Sequence, residues 1–204
     1  MRYWLHNAFV NVEGAKMAKS EGNFRTIRDV LAEAPGEAAR YAMLMSHYRD
    51  PLDWTADRLA EARHALDRFY LALRQVKDVT AVAAGMPERV GAALDDDLNT
   101  PLALAALHDT LGALNKATDD AEKARLKGAL LAGGAVLGLL QQDPEIWLKG
   151  DDSEAREIEG LITQRNAARK ARNFAEADRI RNALAIRGIL LEDGPAGTTW
   201  RRAS

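Results

Sequence analysis

Two lysines three positions apart, Lys16 and Lys19, stand in a short polar segment between Gly14 and Gly22. Two ammonium groups on a glycine-bordered loop can meet one polyphosphate, because compact, mobile cations follow charge that shifts during reaction. On spacing alone, an ordinary exposed basic loop explains the same residues. A second concentration of chemistry lies near the other end, where Arg165, Arg169, Arg172, Arg179 and Arg181 recur at helical spacing beside Phe174 and Trp200. Arginines, aromatic planes and carboxylates in such a mixture read splayed single-stranded bases. A solvated basic helix face accounts for the arginines equally well, and Phe174 and Trp200 are also candidates for the core of a small domain. Asp95-Asp96-Asp97 raises a metal site, but consecutive side chains diverge and no further ligand is spaced to join them. With Asn99-Thr100-Pro101 the run reads as a polar helix junction. His6, His47, His64 and His108 fall in four different segments without paired ligand spacing, so structural or surface roles are expected for them and no metal site is assigned.

The elements that must position these residues are mostly helical. Leu5 to Val12 alternates and ends at Glu13-Gly14, which predicts a short strand and a tight turn. Lys16 to Gly22 has little apolar periodicity and reads as a mobile loop, followed by a short helix over Thr26 to Leu31. Beyond Pro35-Gly36 the period becomes helical, with Tyr41, Leu44, Met45 and Tyr48 on one face. Thr55 is an N-cap for a long helix with Leu59, Ala62, Leu66, Phe69, Leu73 and Val76 inward. Asp78 to Gly85 is a linker, and Pro87 opens a short helix. Thr100-Pro101 starts a helix with Leu104, Leu107, Leu111 and Leu114 buried, since proline in the first turn sacrifices only an unpaired N–H. Asp119-Asp120 starts another, with Leu126, Leu130, Leu137 and Leu140 inward, and the region reads as a bundle. Trp54 and Trp147, near helix ends, are packing anchors. Asp143-Pro144 and Gly150-Asp151-Asp152 mark a boundary. Ser153 caps a helix to about Arg172, with Ile158, Leu161, Ile162 and Ala168 inward. Phe174 to Ile186 forms the next helix, stopped at Gly188. Ile189 to Leu191 and Thr198 to Trp200 are two short strands joined by a turn over Asp193 to Gly197.

Composition bounds the reading. Of 204 residues, 47% are hydrophobic and 28% charged, which is ordinary for a globular protein. The chain has no cysteine, so it forms no disulfide and no thiolate metal site. No stretch approaches the roughly 18 apolar residues of a membrane helix, and the first residues lack a secretory plan; a cytoplasmic protein is expected, without a membrane partner. The net charge of −2 hides an asymmetry: from Thr163 to Ser204, nine Lys or Arg face four Asp or Glu. A basic end on a neutral body suits a protein that touches a polyanion there.

Eight segments in order carry a resemblance. Tyr3-Trp4-Leu5-His6-Asn7-Ala8-Phe9-Val10-Asn11-Val12-Glu13-Gly14 runs into Lys16-Met17-Ala18-Lys19-Ser20-Glu21-Gly22-Asn23-Phe24. Thr26 to Leu31, His47-Tyr48-Arg49-Asp50-Pro51-Leu52 and Asp95 to Pro101 follow, then Ile158 to Arg169, Ala177 to Arg181, Gly188 to Asp193 and Gly197-Thr198-Thr199-Trp200-Arg201-Arg202. Over nearly the whole chain this resembles the C-terminal part of the cysteinyl-tRNA synthetases, class I enzymes, from just before their KMSKS loop to the terminus. The resemblance implies a mainly α fold: the remnant of a Rossmann-type catalytic domain (1–34), a helical bundle (35–150) and a small mixed α/β anticodon-binding domain (151–204). It also implies ATP, with Mg²⁺, held by Lys16, Met17, Ala18, Lys19 and Ser20, with Lys19 foremost at the triphosphate and Lys16 supporting it. Ala18 stands where the family usually has serine, which removes a hydroxyl but neither cation.

For the other end the resemblance implies that Arg169, Asp178 and Asp193 hydrogen-bond anticodon bases, while Phe174 and Trp200 stack on them. The family often has tryptophan at Phe174. The implied partner is tRNA carrying the cysteine anticodon. The family's HIGH motif and zinc site are expected upstream and are absent from this sequence, so the chain alone is expected not to form cysteinyl-adenylate, unless a separate catalytic half joins it. The alternatives are a free-standing, non-catalytic tRNA-binding or scaffold protein, and the related ligase that joins cysteine to an amino sugar, which the terminal Gly197 to Arg202 segment disfavours.

Overall fold

The computed structural model describes residues 2, 4–150, 154–194 and 197–203. Tyr3, the Asp151-Asp152 boundary signal, the Ser153 cap and the Pro195-Ala196 turn lie outside the described residues. The chain divides into two units, 1–141 and 142–204, and its fold is mainly α.

The first unit opens on strand β1 (Val10–Val12), antiparallel to β2 (Ala15–Lys16) and parallel to β3 (Leu52–Trp54). Glu13 and Gly14 join β1 to β2 with φ of 50° and 79°, the doubly left-handed pair that a two-residue hairpin turn requires. The expected strand from Leu5 shrinks to three residues because β3 supplies ladder partners only for Val10 to Val12. Before that, isolated bonds such as Ala8 N–H to Tyr48 C=O (2.9 Å) hold the chain.

Helix α1 (Ile27–Glu33) begins with a capping box between Thr26 and Asp29. Helix α2 (Gly36–Leu44) ends earlier than the expected face through Tyr48, because its last carbonyls are claimed by side chains. Arg58 Nε donates to Ala42 C=O (2.8 Å), and the Thr100 hydroxyl donates to Leu44 C=O (2.9 Å). Helix α3 (Ala56–Gln75) is capped by Thr55 as predicted, and Ala62, Leu66, Phe69, Leu73 and Val76 are buried. Helices α4 (Glu88–Asp95), α5 (Thr100–Lys116) and α6 (Asp120–Val136) complete the bundle. Asn99 caps α5 with Pro101 in its first turn, and Leu104, Leu107, Leu111 and Leu114 are buried as expected. The linker before α4 lies against α6: Val82 N–H donates to Ala124 C=O (3.0 Å), and only a glycine at 128 leaves room for the Val82 carbonyl.

The second unit contains α7 (Pro144–Lys149), α8 (Ala155–Lys170), α9 (Phe174–Ile186) and the antiparallel pair β4 (Ile189–Gly194) and β5 (Gly197–Arg202). Within this unit α7 packs on β5: Arg202 Nε donates to Lys149 C=O (3.0 Å), and Lys149 Nζ stands 5.5 Å from the Trp200 ring centre. The strands are longer than expected, with Asp193 and Gly194 inside β4 and not in the turn. Helix α8 stops at Lys170 because Arg172 takes φ 58°, closing a Schellman motif in which Asn173 N–H donates to Ala168 C=O (2.9 Å) and Arg172 N–H to Arg169 C=O (3.0 Å). Gly188, at φ 72°, ends α9 as predicted.

Candidate functional site

At the first unit's lysine loop, the segment expected to be mobile has internal structure. Lys16 closes β2, and a 3₁₀ turn (Lys19–Glu21) ends at Gly22 in the left-handed region, which glycine enters without a Cβ penalty. The Asn23 side chain bridges the loop from within: its carbonyl accepts from Ala18 N–H (2.9 Å), and its amide donates to Lys16 C=O (3.1 Å). Asp53 of β3 accepts from Gly14 N–H (3.0 Å), so the hairpin is pinned from the neighbouring strand. Both ammonium groups remain exposed. Lys19 Nζ lies 5.3 Å from the Phe24 ring centre and Lys16 Nζ 5.9 Å from that of Phe9. Ser20 is exposed, whereas Met17 and Ala18 are half-buried. A backbone fixed by an asparagine clamp, carrying two cations on flexible stems, can meet a polyphosphate without reorganising the loop.

The second unit carries a cleft of about 640 Å³ lined by Asn166, Arg169, Lys170, Asp193, Gly194, Gly197 and Thr198. Helix α8 supplies one wall and the β4–β5 hairpin the other. The Arg165 guanidinium forks onto Asp193, Nη1 to Oδ1 at 2.9 Å and Nη2 to Oδ2 at 2.8 Å. Arg169 Nη1 donates to the same Oδ2 (3.1 Å), and the Thr198 hydroxyl donates to Oδ1 (2.7 Å). The Asn166 amide lies 3.2 Å from that hydroxyl. These donors, Arg165 first, hold the Asp193 carboxyl well below the usual carboxylate range. Asp193 in turn raises Arg165, with a further contribution from the Asp178 charge.

The five arginines expected on one basic face separate into different environments. Arg165 is buried, and Arg179 is forked onto Glu176 at 2.7 Å through both nitrogens. Arg169, Arg172 and Arg181 are exposed. The two aromatics part in the same way. Phe174 opens α9 just after the left-handed turn and is 61% exposed, so its ring faces solvent. Trp200, at 2% exposure, belongs to the core with Ile158, Ile162, Ile180, Leu184 and Ile189. The cause is the strand alternation of β5, which points Thr199 outward and Trp200 under α8 and α9. Asp178 is exposed on α9. Asn166 and Lys170 were missed as cleft residues. Their spacing around Arg169 on α8 is the sequence signal, but it gains meaning only once the hairpin is in place.

Asp97 has a positional role. Its carboxylate accepts Arg49 Nε (2.6 Å), Arg49 Nη2 (3.0 Å) and the Tyr48 hydroxyl (2.6 Å), and its carbonyl meets His47 Nε2 at 2.9 Å. Two of the segments that carried the resemblance thus meet in space. Among the described residues no three His, Asp or Glu side chains are grouped to hold a metal ion, and no helix is long and apolar enough to cross a membrane.

Three family models match successive parts of the chain: the class I (C) tRNA synthetase catalytic domain over residues 1–64, the DALR domain over 89–141, and the cysteinyl-tRNA ligase anticodon binding domain over 151–201. The cysteine–tRNA ligase of Rhodospirillum rubrum is 59% identical over 207 residues, covering 99% of this chain and 45% of that protein. That of Paramagnetospirillum magneticum is 60% identical over 207 residues, covering 98% and 45%. The chain belongs to the cysteinyl-tRNA synthetase family. It spans a little under half the length of these curated relatives. The cleft at Arg169 and Asp193 lies within the residues matched by the anticodon-binding model, and the lysine loop within those matched by the catalytic model.

Proposed function

We propose that this chain is the tRNA-binding portion of a cysteine–tRNA ligase, reading the anticodon with its second unit and contributing Lys19 to ATP with its first. The observation that carries the reading is the half-open cleft between α8 and the hairpin, where arginine and carboxylate groups meet inside the segment matched by the anticodon-binding model. Arg169, Asp178 and Asp193 supply donors and acceptors to base edges, and Phe174 supplies a stacking plane; Trp200 supports the hairpin from the core. Lys19 places its charge on the triphosphate as cysteinyl-adenylate forms, with Mg²⁺ sharing the phosphate charge, while Lys16, Met17, Ala18 and Ser20 shape the loop. This chemistry belongs to the cytoplasm, where tRNA is charged.

The residues present do not fit zinc, since the sequence has no cysteine and no histidine grouping occurs among the described residues. Zinc is therefore assigned to the part of the relatives that this chain does not span. By itself the chain provides one side of an ATP site and does not make the adenylate. Fluorescence titration with an RNA stem-loop carrying GCA, against loops with one anticodon base replaced, tests the reading. Preferential binding of GCA is expected, and indifference to the anticodon would sink it. Cysteine-dependent ATP–pyrophosphate exchange by the chain alone would refute its catalytic incompleteness.

A further inference from the structure

An ionised carboxylate offers about four lone-pair sites to hydrogen-bond donors. On Asp193 all four are filled from within the chain: Oδ1 by Arg165 and Thr198, Oδ2 by Arg165 and Arg169. As it stands, Asp193 has no acceptor left for a base, and one of its partners must withdraw before it can read one. The four contacts are unequal. The Arg165 side chain is 7% exposed and holds both oxygens at 2.8–2.9 Å, so withdrawing it would strand a buried guanidinium. The Arg169 side chain is 48% exposed, and its contact, at 3.1 Å, is the longest of the four.

Resting on the anticodon reading above, we propose that Arg165 is a specificity-positioning residue that never leaves Asp193, and that Arg169 is an exchangeable latch on Oδ2. The latch swings away to let a base donor take its place. The exchange frees one cation and one acceptor at once. Arg169 can then meet a base edge or phosphate, while the amine of the incoming base donates to the vacated Oδ2. The fork from Arg165 fixes the plane of the carboxylate, so the vacated site points in one direction and a base presenting an acceptor there is rejected.

The test uses the full chain, the GCA stem-loop and singly substituted loops. Arg165→Lys keeps the charge but loses the planar fork. It is expected to reduce the ratio of affinities for GCA over substituted loops by roughly tenfold or more. Thr198→Val, which removes one fixed donor, is expected to reduce the preference by about threefold to tenfold. Arginine side-chain NMR on the unaltered chain reads the latch directly: the Arg169 guanidinium signals move on binding GCA, while those of Arg165 stay.

A uniform loss of affinity across all loops in Arg165→Lys would mark a merely structural role and overturn the proposal, as would an undiminished preference. Should that variant fail to fold, an Arg165 signal that shifts with the Arg169 signal overturns it independently. If the unaltered chain shows no preference for GCA, both the anticodon reading and this inference fail. If the preference is present but Arg165→Lys leaves it intact, the inference alone falls.

Discussion

Arg49 Nε donates to Asp97 Oδ2 at 2.6 Å, tying the turn after α2 to a junction 48 residues further along the chain. The junction is backbone-strained, because Asp97 and the following Leu98 both have positive φ, 53° and 55°. The guanidinium and the Tyr48 hydroxyl hold the Asp97 carboxyl at about 2, below its usual 3.8. A group depressed on folding contributes stability that is present above its unfolded value and is lost as pH falls through the folded one. The contribution of Asp97 is therefore expected to fade between about pH 4 and pH 2. A carboxyl-carbon NMR titration should place its midpoint near 2, and Arg49→Ala should return it toward 3.8. An unmoved midpoint in that variant would show that the ion pair is not the cause.

Glu37 is 7% exposed at the start of α2, where its carboxylate accepts from the Tyr70 hydroxyl at 2.9 Å and from Leu140 N–H at 2.7 Å. It joins α2 to α3 and to the turn after α6. Glu37→Ala removes an acceptor from two donors and is expected to destabilise the first unit by roughly 2–4 kcal/mol, against about 1–2 kcal/mol for Tyr70→Phe. Urea denaturation followed by tryptophan fluorescence measures both, and equal effects from the two would contradict the shared-acceptor account.

Gly128 faces the Val82 carbonyl so closely that an added Cβ would lie 1.8 Å from the oxygen. Gly128→Ala is expected to push the linker off α6 at a cost of about 1–3 kcal/mol. The control is Gly160→Ala on α8, where a Cβ meets nothing within 4 Å. That change is expected to stabilise by roughly 0.4–1 kcal/mol. Thermal melts that rank the two alike would refute the close approach.

Asn23 braces the lysine loop by bonding both Ala18 and Lys16. Asn23→Ala is expected to speed tryptic cleavage after Lys16 and Lys19 by about threefold to tenfold, because local opening exposes the scissile bonds. Cleavage within the bundle should be unchanged. Mass spectrometry of timed digests separates the two regions.

Phe174 and Trp200 should respond in opposite ways. Phe174→Ala, at an exposed site, is expected to change stability by less than about 0.5 kcal/mol and to weaken stem-loop binding by about 1–3 kcal/mol. Trp200→Ala opens the core of the second unit and is expected to cost about 3–5 kcal/mol of stability. Calorimetry of folding and titration with RNA, made on both variants, check the pair.

Much of this was legible in the linear chain. Thr26, Thr55 and Asp119 cap their helices, and Gly188 stops α9, because caps are local bonds within a few residues. The buried stripes of α3 and α5 followed from the helical period. Less legible were the ends that distant groups decide. Helix α2 stops where Arg58 and Thr100 take its carbonyls, and α8 stops at an arginine in the left-handed region, which residue type does not announce. Helix α7 joined the second unit through Arg202, far along the chain.

By itself, the sequence determined the order of helices, the lysine loop and, through ordered motifs, the family. Only the tertiary structure separated residues that look alike in one dimension. Arg165 and Arg169 are one helical turn apart on α8, yet one is buried on Asp193 and the other half-exposed. Phe174 and Trp200 are both aromatic, yet one faces solvent and the other the core. The physical reason is that helical periodicity fixes direction around an axis, whereas depth depends on what packs against that face. Here it is a hairpin whose Asp193 lies 28 residues beyond Arg165 and whose Thr198 lies 32 residues beyond Asn166.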